Sequence, residues 1–105
     1  MTKCGPNLRR WRRGVNYRLS YTDEARRALR KLPGRYRQRA RRIIEELAHE
    51  PAPPAVEEIR GLPNRYRIPL NGWRIIYRVE AADGALIVLA VRLKTGPETY
   101  HNLPE

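Results

Sequence analysis

Two hydrophobic periods divide the chain. Between Thr22 and Ala48 apolar residues recur every three to four positions, whereas from Ile59 onward they alternate at period two or run unbroken. The first period predicts helices and the second a sheet. Ahead of both, Tyr17-Arg-Leu-Ser-Tyr21 alternates apolar and polar positions, as a half-buried strand does. Thr22 then offers an N-cap oxygen, and Asp23 and Glu24 suit the positive end of a helix. The stripe Ala25, Ala28, Leu29, Leu32 ends at Pro33-Gly34, which stops that helix. A second stripe of Tyr36, Ala40, Ile43, Ile44, Leu47 and Ala48 runs to the break at Pro51, Pro53 and Pro54. Together they predict a helical hairpin with one apolar side.

In the sheet half, Tyr66-Arg-Ile-Pro-Leu70 and Trp73 to Val79 flank Asn71-Gly72, a strong hairpin signal. Pro69 lacks an N–H, which predicts a ladder gap or bulge at that point. Ala82-Asp83-Gly84 supplies a further turn, and Ala85 to Val91 is apolar throughout, as a strand covered on both faces would be. The expected fold is α+β: an antiparallel four-stranded sheet with an N-terminal helical hairpin packed on one face, in the order β-α-α-β-β-β.

Length allows one domain. With 105 residues, the chain divides into a basic, flexible N-terminal extension at 1–16, broken by Pro6 and Gly14, and a single domain at 17–105. Trp11 among the arginines of the extension suits stacking on RNA, and a tail of incidental charge fits as well. No stretch approaches the ~20 apolar residues that cross a bilayer, so no membrane partner is expected. Cys4 has no internal disulfide partner and no Cys/His spacing resembles a zinc site, so the expected setting is a reducing cytoplasm, with no metal and no cofactor. The formal net charge of +11 and sequence pI near 10.8 direct attention to polyanionic partners, nucleic acid first.

That charge has a pattern. In the strand after Asn71-Gly72, Trp73, Ile75, Tyr77 and Val79 share one face while Arg74, Ile76 and Arg78 share the other; across the turn, Arg65, Arg67 and Pro69 separate from Tyr66, Ile68 and Leu70. Arg92 and Lys94 follow at the end of the last strand. Like charges on one sheet face repel, by tenths of a kcal/mol up to about 1 for a cross-strand pair. Guanidinium groups on a rigid sheet suit phosphate, which they grip through two parallel hydrogen bonds. The other reading of the pattern is a solvated basic face, or one neutralised by Glu57, Glu58, Glu80 and Glu98. The helical arginines read as the solvent side of amphipathic helices.

The segments "YRLSYTDEARRALRKL", "IIEELAHEP", "IRGLPNRYRIPL", "GWRIIYRV" and "VRLKTGPETYHNL" resemble the RelE/ParE superfamily of bacterial toxin-antitoxin toxins, over residues 17 to about 103. The resemblance implies a small toxin silenced by a cognate acidic antitoxin and acting on operator DNA only as the toxin-antitoxin complex. In the RelE branch the toxin enters the ribosome and cleaves messenger RNA; in the ParE branch it poisons DNA gyrase. The positions that match the RelE-like catalytic pattern are Arg67, Arg74, Lys94, Tyr100 and His101, with Arg65, Arg78 and Arg92 as further RNA-binding candidates. The implied reaction is attack of a ribose 2′-hydroxyl on the adjacent phosphodiester.

One departure stands out. Where several family nucleases carry lysines on the "YRIPL" strand, this chain has Arg67 and Pro69, and an arginine does not serve as general base. Lys94 and His101 are the remaining proton carriers. A messenger RNA endoribonuclease is therefore the leading expectation, with a ParE-like gyrase poison or an inactive antitoxin-binding homologue as alternatives.

Overall fold

The computed structural model describes residues 16–51, 56–100 and 103. Expectations placed on residues 1–15, on Pro53 and Pro54, on the side chain of Glu98 and on His101 lie outside the described residues. The elements run β1 (Arg18–Tyr21), α1 (Asp23–Lys31), α2 (Gly34–His49), β2 (Glu57–Glu58), β3 (Arg65–Leu70), β4 (Trp73–Glu80) and β5 (Ala85–Leu93), with short 3₁₀ turns at Ala81–Asp83 and Pro97–Tyr100.

The first helix starts where its cap places it. Thr22 Oγ1 accepts from Ala25 N at 3.1 Å, Asp23 and Glu24 occupy the first turn, and Arg30 and Lys31 the last. Pro33 then breaks the chain direction between the helices. Ala25, Leu32, Ala40, Ile44 and Leu47 bury the apolar stripe against Tyr66, Ile68, Leu70, Ile75, Tyr77, Val79, Leu86, Val88 and Val91 of the sheet. Each fully buried Leu, Ile or Val there contributes roughly 1.5–3 kcal/mol over its exposed state. Tyr66 and Tyr77 pack with ring centroids 5.8 Å apart, and the Tyr77 hydroxyl, deep in this core, donates to Pro51 O at 2.9 Å. Burial pushes the Tyr77 phenol well above its ordinary range.

The sheet corrects the expectation of four antiparallel strands. Its order is β1-β5-β4-β3-β2, five strands in all, and β1 pairs parallel with β5, Arg18 opposite Ala85 through Tyr21 opposite Val88. Parallel neighbours need a long crossover, and here both helices and the β3–β4 hairpin intervene, so no local pattern announces the pairing. β2 is too short to show a period; it pairs antiparallel with β3, Glu57 opposite Arg67.

The irregularity falls elsewhere than Pro69. Leu70 faces Trp73 across the two-residue turn and Pro69 faces Arg74 in unbroken register. Val79 N donates to Asn64 O and Ile59 N to Arg65 O, so even-numbered β3 positions bond towards β4 and odd-numbered ones towards the other side. The absent N–H of Pro69 thus points away from β4, past the end of β2, where it breaks no ladder bond. The bulge lies in β5 instead: Ile76 faces Ala90 and Tyr77 faces Val88, leaving Leu89 extra. Leu89 and Ala90 consequently both turn away from the helices, where with Ile59 and Ile76 they form a second, smaller core.

Candidate nucleic-acid interface

Three rows of the register build the face turned away from the helices. One crosses the sheet as Glu57, Arg67, Ile76 and Ala90; beside it on one flank lie Pro69, Arg74 and Arg92, and on the other Arg65, Arg78 and Ile87. The sheet thus brings Arg65, Arg67, Arg74, Arg78 and Arg92 onto one surface, as their alternation with buried residues implies. Lys94 follows just past β5, its backbone N–H donating to Gly72 O at 2.9 Å beside the β3–β4 turn.

The apolar middle of this face is roofed by the C-terminal segment. Tyr100 and Leu103 pack on Ile59, Ile76, Leu89 and Ala90, and the Arg67 guanidinium carbon lies 4.9 Å from the Tyr100 ring centroid. A cation over an aromatic face contributes ~0.5–1 kcal/mol at a partly exposed site. The Tyr100 hydroxyl is buried and has no hydrogen-bond partner among the described residues.

Three of the arginines hold carboxylates of the same chain. Arg67 donates through Nε, at 3.1 Å, and through Nη2 to Glu57; Arg78 Nη1 meets Glu80 at 2.6 Å; Arg92 binds Glu24 with Nε at 2.7 Å and Nη2 at 3.0 Å. The neutralisation that a basic face invites is therefore present, although by Glu24 as well as by the nearby glutamates of the sheet. Arg74 differs. Its Nη1 donates only to backbone carbonyls, Asn71 O at 3.2 Å and Trp73 O at 2.8 Å, and no carboxylate among the described residues pairs with it. Arg65 Nη1 donates to Pro63 O at 2.9 Å.

Glu57 is the residue that sequence reasoning passed over as mere counter-charge. Both Arg67 bonds land on its Oε1, leaving Oε2 without a protein partner among the described residues, and its side chain is 65% exposed. The Arg67 hydrogen bonds, then the Arg67 charge, hold its carboxyl below the usual carboxylate range, and the Arg74 charge adds to that effect. Such a group remains an anion, with one open acceptor, between two cations. Its place opposite Arg67 depends on β2, a pairing of two residues that no periodicity could reveal.

A second cationic region lies on the helices. Tyr21, Leu29 and Ile44 floor an open cleft of about 350 Å³ whose rim carries Arg26, Arg30, Arg37 and Arg41.

The sequence profile of the family described as "ParE toxin of type II toxin-antitoxin system, parDE" matches residues 19–95. No curated protein sequence matches the chain. Among solved structures, it is similar to a mutant of the E. coli toxin RelE in the free state, at 26% identity and a TM-score of 0.70, covering 82% of this chain and 92% of that one. It is similar also to RelE of the archaeal RelE-RelB complex from Pyrococcus horikoshii, with 26% identity, a TM-score of 0.68, and 75% and 96% of the two chains covered. The toxin-antitoxin complex RelBE2 from Mycobacterium tuberculosis gives 25% identity and a TM-score of 0.67, with 78% and 95% covered.

Proposed function

Since the chain belongs to the ParE toxin family of type II toxin-antitoxin systems, within the wider RelE/ParE superfamily, we propose that it is a messenger RNA endoribonuclease acting on the ribosome. The observation that carries this reading is the row formed by Glu57, Arg67 and the Tyr100 ring, with Arg74 beside it free of any carboxylate partner among the described residues. A phosphodiester seated against Arg74 meets planar donors that match its two free oxygens. Arg67 adds charge for the pentavalent phosphorane, where stabilisation is worth most.

The missing lysine base has a substitute. Glu57 Oε2 takes the proton of the ribose 2′-hydroxyl as the O2′–P bond forms; the P–O5′ bond breaks, and the 5′-oxygen leaves with a proton from Lys94 or solvent. The products are a 2′,3′-cyclic phosphate and a 5′-hydroxyl. A positioned base contributes typically ~10²–10⁴-fold, and the lowered proton affinity of Glu57 beside Arg67 and Arg74 places it at the lower end of that range. Tyr100 orients Arg67 by stacking, and His101 remains an expected proton carrier.

An antitoxin partner follows from the same family membership, and the similar complexes from P. horikoshii and M. tuberculosis are toxin-antitoxin assemblies. An acidic, amphipathic segment that folds on contact suits the arginine-rimmed cleft with its apolar floor.

A second reading, a ParE-like gyrase poison without nuclease activity, is favoured by two observations: the matching profile is that of ParE, and Arg67, Arg78 and Arg92 are occupied by carboxylates. Inducing the protein in bacteria while mapping message ends and gyrase-linked DNA breaks separates the two. Cuts within translated codons support the nuclease; DNA breaks with intact messages overturn it.

A further inference from the structure

Arg92 stands at the junction of three parts of the molecule. Its Nε and Nη2 fork onto the two oxygens of Glu24 in the first turn of α1, at 2.7 and 3.0 Å, while Nη1 donates to Thr99 O at 3.0 Å. The Nε–Nη2 edge, one by which a guanidinium grips phosphate, is thereby filled. In the register Arg92 lies opposite Arg74, and Glu24 cancels what would otherwise be a like-charge cross-strand pair.

Both ends of this connection are themselves anchored. On the α1 side, Thr22 donates from N to Val88 O at 3.1 Å and from Oγ1 to Leu89 O at 2.6 Å, fixing the helix start to β5 at the bulge. On the C-terminal side, Thr99 is only 3% exposed. Its Oγ1 accepts from Thr95 N at 2.8 Å and Gly96 N at 3.2 Å, and its N donates to Gly96 O at 3.0 Å. The next residue is Tyr100, whose ring lies under Arg67. A continuous set of directed bonds thus runs from the first turn of α1 through Arg92 to the aromatic roof of the catalytic row.

Resting on the nuclease reading above, we propose that Glu24 and Arg92 are positioning residues: they hold the 3₁₀ turn that carries Tyr100, and so set the Tyr100 ring against the Arg67 guanidinium, without either one contacting RNA. The alternative role for Arg92, a phosphate ligand, makes an opposite forecast. If Glu24 only masked a phosphate site, removing its charge would strengthen RNA binding; if it steadies Tyr100, removing it slows the chemistry and leaves binding alone.

The test uses the full chain with message-programmed ribosomes and single-turnover cleavage, which resolves residual rates. Glu24→Gln and Arg92→Lys are each expected to lower the cleavage rate ~10–100-fold, the scale on which small misplacements act, while the half-saturating ribosome concentration stays within about twofold. The pair should be strongly non-additive, the double variant no slower than the worse single. In a Tyr100→Ala background, Glu24→Gln should cost nothing further. A loss that persists in that background, as a general structural defect would, overturns the proposal; so does tighter binding by Glu24→Gln with an unchanged rate. Glu24 is partly exposed, so Glu24→Gln keeps the test open even if an Arg92 variant fails to fold. A wild-type protein that leaves messages intact defeats the nuclease reading and this inference together. An active wild type matched by Glu24→Gln defeats this inference alone.

Discussion

Replacing Glu57 by glutamine separates counter-charge from chemistry, because the two roles demand changes of opposite sign. Glutamine keeps an oxygen for Arg67 but loses the negative charge and the capacity to accept the 2′-hydroxyl proton. Stability should hardly change: the pair is exposed, with 65% of the Glu57 side chain and 32% of the Arg67 side chain accessible, and exposed ion pairs contribute ~0–1 kcal/mol. Binding should tighten. Arg67 freed from its carboxylate can contact one more phosphate, which steepens the plot of log affinity against log salt by about 0.7 for a single strand. Cleavage should fall ~10²-fold, the lower end of what a positioned base contributes, because Arg67 and Arg74 reduce the proton affinity of Glu57. Filter binding across a salt series and single-turnover cleavage on programmed ribosomes read the two quantities separately. Tighter binding with cleavage at or above the wild-type rate would refute the base assignment and leave Glu57 a shield. The pH dependence adds a check of the same chemistry. Because Arg67 holds the Glu57 carboxyl below its ordinary range, the ion pair is intact above the unfolded carboxylate range and is lost only as pH falls through the depressed value. Arg67 and Arg74 favour the anion, and Glu58 is the adjacent like charge on β2. In the wild type, RNA binding should therefore strengthen only as pH falls below the ordinary carboxylate range and Arg67 is released, whereas Glu57→Gln should show no such step.

Other consequences are equally specific. Arg74→Ala should leave the melting temperature nearly unchanged, since Arg74 bonds only to carbonyls of its own hairpin, and should cut the cleavage rate by ~10²–10³-fold, as removal of a transition-state donor does; circular dichroism and end-mapped cleavage read both. Ile76→Ala, in a fully buried position of the smaller core, should cost ~2–5 kcal/mol in urea denaturation, and a loss under 1 kcal/mol would mean that the face away from the helices is not packed as described. Thr22→Val removes the cap of α1 and the donor to Leu89 O, and should destabilise by ~0.5–2 kcal/mol in the same assay.

How far the sequence revealed this molecule depends on the range of the interaction concerned. Thr22 as cap, the break at Pro33-Gly34, the apolar stripes of both helices and the Asn71-Gly72 turn are local events, and each element formed where its pattern placed it. The shared face of Arg65, Arg67, Arg74 and Arg78 was equally legible, since period two fixes side-chain direction. What escaped was non-local. The parallel partner of β1 lies beyond three intervening strands, and the apolar run from Ala85 to Val91 in β5 has no alternation in which a bulge at Leu89 could register. Pro69 looked like a defect only because its edge-facing N could not be known before the sheet order was. The Arg92 pairing with Glu24 joins residues 68 positions apart, and Glu57 became a site candidate only once β2 set it opposite Arg67.

The most direct measurement is the chemical identity of message ends left on programmed ribosomes by the purified protein, with Arg74→Ala as comparison. Cleavage within codons, leaving 2′,3′-cyclic phosphate and 5′-hydroxyl termini and lost in Arg74→Ala, is what a phosphate seat on the sheet predicts. Intact messages, or cleavage that Arg74→Ala performs as fast as the wild type, would contradict it.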